Sequence, residues 1–517
     1  MKSLAKLRGR RVAVLSALAC TGVALVIAST VSAHPSTVAA GGTLTIAEQG
    51  TINTFDPWGP GIGLNGSMMY EPAVYDELLH LSNTGKIVPW LATSWKVNGR
   101  DITMTLRQGV QFVDGTAFNA AAVKANLDYA QSTKTPGQCN GFLKAVVTNV
   151  TGTYSVRLHL RQPNPDLLLN MATCAGYMVS PQALKNPAGL TTTPDGTGPY
   201  TYDPSASVQG QKWVFNKRAN YWNPAAYPFS TVVFTFFRDQ TAADNAGRSG
   251  QIDFLQVVPV TDTSSGMRIL KGTPNLVRGM AIADTAGELV PALGNKLVRQ
   301  AMNYAIDRKA ILKSIYNGIG VVNGGSTPFT SSSPGYSKSL DTLYPYNPAK
   351  ARALLKQAGY AKGFSFTVMD SPTDTNSAML QAIAGFERKV GVNMQIAMNS
   401  TTFIPSMLSG QNPAFFAQYT LSGAQYQNLY GLASAHAFWN PRHKHIKVFD
   451  RLLTRLLYAT GTKADALYAQ FAQAFSDEAW WVMPVTLPNA AGYNAAKIKP
   501  YVTNQNPCPL LYQIRPA

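Results

Sequence analysis

After the break at Gly41-Gly42, Thr43-Leu44-Thr45-Ile46 alternates polar and apolar positions, the period-two pattern of a half-buried strand. Tyr75 to Leu81 is apolar at helical spacing. Ser94 to Val97, the turn Asn98-Gly99 and Ile102 to Leu106 predict a hairpin. Asp114-Gly115 predicts a turn, and Asn119 a cap for a helix with Val123 and Leu127 on one face. Tyr154 to Leu160 alternates as a strand that Pro163 and Pro165 end. The run Asp195-Gly196-Thr197-Gly198-Pro199-Tyr200 has the composition of a hinge or domain crossover, since glycine relaxes the backbone and proline fixes its direction. Trp213 to Phe215 and Val232 to Phe237 read as buried strands.

The second half is more helical. Val298, Met302 and Ala305 share a helix face, and Asp307 caps a second helix that Asn317-Gly318 ends. Asn347-Pro348 gives cap and first turn in the expected order, with Leu354 and Leu355 inward and Gly359 at the end. Val448, Phe449, Leu452, Leu453, Leu456 and Leu457 form an amphipathic stripe, as do Leu467, Phe471 and Phe475. Strands and helices alternate irregularly, and no repeat at solenoid or propeller periods is present. The pattern predicts a mixed α/β protein of several lobes.

Composition fits that reading. The 517 residues are 45% hydrophobic and 14% charged, ample for large cores and about two to four domains. The first forty residues stand apart: Lys2, Lys6, Arg8, Arg10 and Arg11 precede an apolar run from Val12 to Ala28. Val31-Ser32-Ala33 and Val38-Ala39-Ala40 then fit small-x-small cleavage sites, so 1–40 reads as a signal peptide cut after Ala33 or Ala40. An uncleaved membrane anchor is the competing reading of that run. Export places the protein in the periplasm or outside the cell, at the outer face of the cytoplasmic membrane. Removing the five leader cations lowers the net charge from +18 to +13, and an anionic envelope is a more economical partner than nucleic acid, for which no motif is present. Of the cysteines left, Cys139 and Cys174 flank one strand-like segment and are the candidate disulfide, leaving Cys508 as an odd thiol.

Several motifs carry a specific resemblance. Tyr75-Asp76-Glu77-Leu78-Leu79, Gly85 to Trp95 and Leu106 to Thr116 closely resemble the signature of extracellular solute-binding proteins of the peptide/nickel class. Gly198-Pro199-Tyr200, Asn220-Tyr221-Trp222, Arg299-Gln300-Ala301, Ala305-Ile306-Asp307-Arg308, Ala353-Leu354-Leu355 and Ala358-Gly359-Tyr360 follow in the family's order. The resemblance implies a periplasmic-binding-protein-like α/β fold of two lobes joined by a hinge, in three domains with a discontinuous first. The implied division is 41–76, 196–283 and 486–517 for domain I, 77–195 for an inserted domain II, and 284–485 for domain III as the opposing lobe. It also implies a receptor that serves the permease subunits of an ABC importer; beside it, the chain is read as a monomer with no cofactor, no metal and no catalytic residue. Trp95, Asp114 and Trp222 within these motifs read as packing and turn residues.

Peptide-binding members of the class usually hold the ligand's ammonium with a third-domain aspartate that follows a tryptophan. The corresponding segment here, Phe415 to Tyr426, has no carboxylate. Burying an ammonium without a counter-charge is costly, so the segment points to a neutral, polar or peptide-like ligand. Candidate contacts are Gln418, Tyr419, Gln425, Tyr426 and Trp439 from the third domain, with Met68 and Tyr70 from the first lobe. Other readings are a receptor reporting to a membrane sensor, an oligosaccharide binder, and a nickel or metal-chelate binder using His436, His443 and His445. For a metal, the nearby Pro441, Arg442 and Lys444 are the wrong company. Asp284 and Glu288 read as a cap and a solvated face, and no nucleophile elbow, zinc-protease or P-loop motif is present to support an enzyme.

Overall fold

The alternation at Thr43 becomes β1 (Thr43–Gln49) in the computed structural model. The structure describes residues 41–49, 54–58, 69–132, 143–237, 239–256, 261, 265–370, 374–399, 402–501 and 509–517. The leader, Met68, Cys139 and Cys508 lie outside these residues. After a short helix α1 (Glu71–Val74) the hairpin forms as predicted, β2 (Ala92–Asn98) with β3 (Asp101–Leu106), and Gly99 takes the left-handed φ of 59° that the turn needs. Helix α2 (Ala120–Ser132) starts where Asn119 accepts the Ala122 N–H at 3.1 Å, and Val123 and Leu127 are buried. Strands β4 (Val146–Gly152) and β5 (Ser155–Leu160) complete a four-stranded antiparallel sheet in the order β2-β3-β5-β4.

The chain then passes through α3 (Leu167–Met171) to β6 (Tyr200–Tyr202), β7 (Lys212–Lys217), β8 (Thr231–Phe237) and β9 (Phe254–Leu255). β1 lies parallel between β8 and β9. One hydrophobic cluster joins this group to the four-stranded sheet: Leu44, Ile46, Trp213, Phe215 and Phe234 pack continuously with Ile102, Met104, Leu127 and Val156. The C-terminal residues return to the same cluster through Leu510, Leu511 and Tyr512, whose hydroxyl donates to the Leu81 carbonyl at 2.9 Å.

The remaining chain builds a second body. Its strands are β11 (Phe364–Asp370), β12 (Val392–Met398) and β13 (Ala414–Thr420). Its main helices are α4 (Lys296–Ala305), α5 (Arg308–Tyr316), α6 (Pro348–Gln357), α7 (Asp374–Arg388), α8 (Gln425–Ala433), α9 (Lys447–Leu456) and α10 (Gly461–Glu478). The predicted caps hold: Asp307 accepts the Ala310 N–H and Asn347 the Lys350 N–H, both at 2.9 Å. Helices cover both faces of the sheet, which is why β13 begins as the unbroken apolar run Ala414-Phe415-Phe416-Ala417. The α9 and α10 stripes meet at Phe449 and Phe471, ring centroids 5.1 Å apart. Each such buried side chain stabilises the body by about 1.5–3 kcal/mol.

Two long strands tie the bodies together, β10 (Arg268–Ile282) and β14 (Trp481–Tyr493). They pair antiparallel from Arg268 opposite Tyr493 to Ala281 opposite Trp481. Near Tyr493, β14 also pairs with β9; between Leu276 and Ile282, β10 also pairs with β13. The result is one sheet, in the order β12-β11-β13-β10-β14-β9-β1-β8-β7-β6, with Val321–Val322 added beside β14. The β10–β14 ladder breaks register between Lys271 and Pro274, Pro274 and Leu276, and Arg278 and Met280. Such irregularities bend a strand pair and remove ladder bonds, which is what a hinge requires.

Two expectations change. Tyr75 to Leu81 is not helical: Leu79–Leu81 pairs with Ile87–Pro89, its apolar positions buried on both faces and so without strand alternation. The Gly196–Gly198 crossing is pinned rather than loose. The Arg218 guanidinium donates to the carbonyls of Gly196, Gly198, Gln111 and Phe112. A Cβ at Gly196 would sit inside contact distance of the Val74 carbonyl, so glycine is there for close packing.

Candidate functional site

Helix α8 starts with Gln425 after Ser422-Gly423-Ala424, and the alanine at its N-cap has no side chain able to cap. The first N–H groups of a helix need outside acceptors. Here Ala424 N–H donates to Ser422 Oγ at 3.2 Å and Gln425 N–H to the Gly423 carbonyl at 3.0 Å. The next two, Tyr426 N–H and Gln427 N–H, donate to the carboxylate of Asp166, the Gln427 bond to Oδ2 measuring 2.9 Å. Asp166 belongs to the first body, at the N-cap of α3, yet its side chain makes no bond to its own helix. The two bodies therefore touch where one carboxylate meets the start of the other body's helix. Burial pushes this carboxyl up to about 6, against the two N–H bonds that favour its charged form.

An aromatic wall adjoins this contact. Trp439 lies between Tyr419 and Trp481, ring centroids 6.5 and 5.7 Å away, and stacks near Phe415 at 6.1 Å. Tyr419, Tyr426 and Tyr468 all feel the Asp166 charge, and burial raises each phenol well above its ordinary range. The Tyr419 hydroxyl reaches Asn428 Oδ1 at 3.5 Å, and Tyr426 stacks on Tyr430 at 6.1 Å. Gln425 is buried, and its Nε2 has no partner among the described residues. A buried amide donor without an acceptor is a group prepared for a ligand or water.

The candidate contacts separate accordingly. Tyr419, Tyr426 and Trp439 gather at this wall, and Gln425 opens the helix that carries Tyr426. Gln418 does not: successive strand residues face opposite sides, and its Oε1 accepts from Arg278 Nε at 3.1 Å on the far face of β13. Tyr70 is a core residue of the first body, fully buried among Phe55, Trp213 and Phe234, its hydroxyl on the Thr54 carbonyl at 3.2 Å. Met68 lies outside the described residues. Asp166 was not singled out by sequence reasoning, since a helix cap supplied by another body leaves no local pattern.

The histidines do not converge. His443 Nδ1 bonds the Ala435 carbonyl at 2.9 Å and His445 Nδ1 pairs with Asp450 at 3.1 Å, and no cluster able to hold a metal occurs among the described residues. Asp284 accepts from the N–H groups of Glu288, Leu289 and Val290, and Glu288 pairs with Arg442. Cys174 is disulfide-bonded, and Cys139 lies outside the described residues. In the family motifs, Asp76 accepts from Trp90 Nε1, the Tyr221 hydroxyl and Trp222 Nε1 at 2.8, 2.7 and 3.1 Å, a buried brace rather than a ligand site.

Comparison with known proteins gives a consistent picture. The profile described as bacterial extracellular solute-binding proteins, family 5 Middle, matches residues 86–439. The glutathione-binding protein GsiB of Salmonella typhimurium is 31% identical over 385 residues, covering 72% of each chain. GsiB of Escherichia coli is 30% identical over 361 residues, 68% of each. Among solved structures, NikA from Brucella suis in complex with Fe(III)-EDTA superposes with a TM-score of 0.80 at 21% identity, covering 92% of this chain and 100% of that one. DppA from Helicobacter pylori in complex with the peptide STSA gives 0.76 at 23%, covering 92% and 98%.

Proposed function

The chain belongs to the bacterial extracellular solute-binding proteins of family 5, and from that premise we propose that it grips a peptide-like or other neutral polar solute between its two bodies and releases it unchanged. It is the substrate-binding component of an ABC-type importer. The observation that carries the proposed mechanism is the β10–β14 crossing, two irregular strands that join bodies with separate cores. Bending there opens and closes the cleft; a ligand touching both sides favours the closed form by its differential affinity. Closure removes water, so each hydrogen bond to the ligand counts for more. Tyr419, Tyr426 and Trp439 supply faces for stacking, and Gln425 Nε2 an amide donor for a ligand carbonyl or hydroxyl. The Asp166 carboxyl is engaged by backbone N–H groups, so it is not a free counter-charge for a ligand ammonium.

The cycle makes and breaks no covalent bond. The protein acts as a monomer, exported by its first forty residues, at the outer face of the cytoplasmic membrane. The division into an inserted domain at 77–195 and an opposing lobe at 284–485 belongs to the same proposal, with the bend inside β10 and β14. Native mass spectrometry followed by thermal-shift screening tests the ligand class. The panel is glutathione, free and N-acetylated dipeptides, neutral oligosaccharides and nickel-histidine chelate. A specific ligand at a hundred times its Kd adds about 2.7 kcal/mol of stability. A shift with blocked peptides or neutral solutes is the expected result. A shift with free-amino dipeptides alone contradicts the neutral class, and one with the chelate alone contradicts the histidine assignment.

A further inference from the structure

The contact between Asp166 and α8 is built like a helix cap, with its two halves on different bodies. Helix α8 has nine residues and an N-cap alanine that cannot cap it, while Asp166 stands at an N-cap position and does not cap its own helix. Each deficiency is met by the other body. When the bodies separate, Tyr426 and Gln427 N–H lose their acceptor and Asp166 returns to water. When they close, the carboxyl is only 8% exposed, and it forms no ion pair among the described residues. The titratable groups facing it are Tyr419 from β13, Tyr426 from α8 and Tyr468 from α10, all neutral phenols.

We propose that Asp166 is a cap supplied in trans that positions α8 in the closed form, and that closure takes up a proton on this carboxyl. The inference rests on the hinge reading above. Moving a carboxylate from water into a site without a cation disfavours its charged form more than two N–H bonds restore it. The sign follows from linkage. The closed-form pKa, about 6, lies above the ordinary 3.8 of an open, hydrated carboxyl, so the closed form binds the proton more tightly. Closure is favoured as pH falls through about 6, by up to tenfold in the closed-to-open ratio per pH unit, and levels off once the open form is also protonated. A protonated carboxyl keeps a carbonyl oxygen for the α8 N–H groups, so the cap survives the proton.

The test uses the ligand-free, full-length secreted chain as wild type, Asp166→Asn and Asp166→Ala, at pH 7.5 and pH 5. Small-angle scattering reads the closed fraction, and amide exchange by mass spectrometry, corrected for intrinsic pH effects, reads α8 and α3. Wild type contracts at the lower pH. Asp166→Asn, a neutral acceptor of the same shape, is contracted at both values. Asp166→Ala is expanded at both, with Tyr426 and Gln427 amides exchanging at least tenfold faster and α3 unchanged. A pH response in Asp166→Asn equal to the wild type overturns proton uptake at this residue. Faster exchange confined to α3 in Asp166→Ala overturns the trans cap. Identical dimensions in all three proteins at both pH values, with or without a compound that raises the Tm, overturn the hinge reading itself.

Discussion

Glu48 at the end of β1 and Glu71 at the start of α1 are buried in the first body, and both Glu71 oxygens and Glu48 Oε1 lack partners among the described residues. Burial, reinforced at Glu71 by the neighbouring Glu48 charge, raises both to about 8. The native state thus holds two protons that the unfolded chain releases above about 4.5. Their stabilising effect is complete below the unfolded value and is lost as pH rises through 8. Urea unfolding is expected to show stability falling between pH 5 and 8 by on the order of a few kcal/mol. The double substitution Glu48→Gln, Glu71→Gln is expected to remove that slope. Arg308 is a contrasting case, fully enclosed but donating to the carbonyls of Asn323, Asn303 and Tyr344, Asn303 Oδ1 and Ser326 Oγ. Burial lowers its pKa only to about 10, so it stays charged. Arg308→Leu strands these acceptors and is expected to cost about 3–5 kcal/mol in the same assay. At this scale, what was legible in the sequence was local. Asn119, Asp307 and Asn347 bond N–H groups three residues ahead, within reach of a pattern. Asp166 bonds one 261 residues away, and no local pattern carries that.

Among elements, strongly periodic helices such as α9 and α10 were readable because one face meets a core and the other meets water. Tyr75 to Leu81 misled because a segment buried all round shows neither period. Gly196-Thr197-Gly198 was read as a hinge from its composition, but glycine marks freedom and close approach alike, and the packed structure shows close approach. Gly196→Ala forces the Val74 carbonyl to move and is expected to destabilise by about 1–3 kcal/mol or more, measured by thermal or urea unfolding. The register breaks lie instead in the β10–β14 ladder, where Asn275 Nδ2 donates to the Leu421 carbonyl at 2.9 Å and Asn489 Nδ2 donates to Asn275 Oδ1 at 3.0 Å. Asn275→Ala removes both bonds beside the register breaks, and a loss of about 1–3 kcal/mol is expected. Faster amide exchange should be confined to β10, β14 and the segment at Leu421.

At the level of the molecule, ordered motifs carried the two-lobed α/β architecture, while the way the halves join was not readable. One sheet runs through both bodies, and its two crossing strands pair across the whole segment between Ile282 and Trp481. The candidate contacts divide along the same line: Tyr419, Tyr426 and Trp439 lie close in sequence and in one cluster, whereas strand alternation sends Gln418 to the other face. Hinge closure is measured most directly by small-angle scattering of the secreted chain with and without saturating amounts of the compound that most raises its Tm, with that compound recovered and weighed afterwards. Closure over an unreacted guest gives a smaller radius of gyration in the complex and a compound of unchanged mass. Superimposable profiles at saturation, or a compound returned with altered mass, would contradict it.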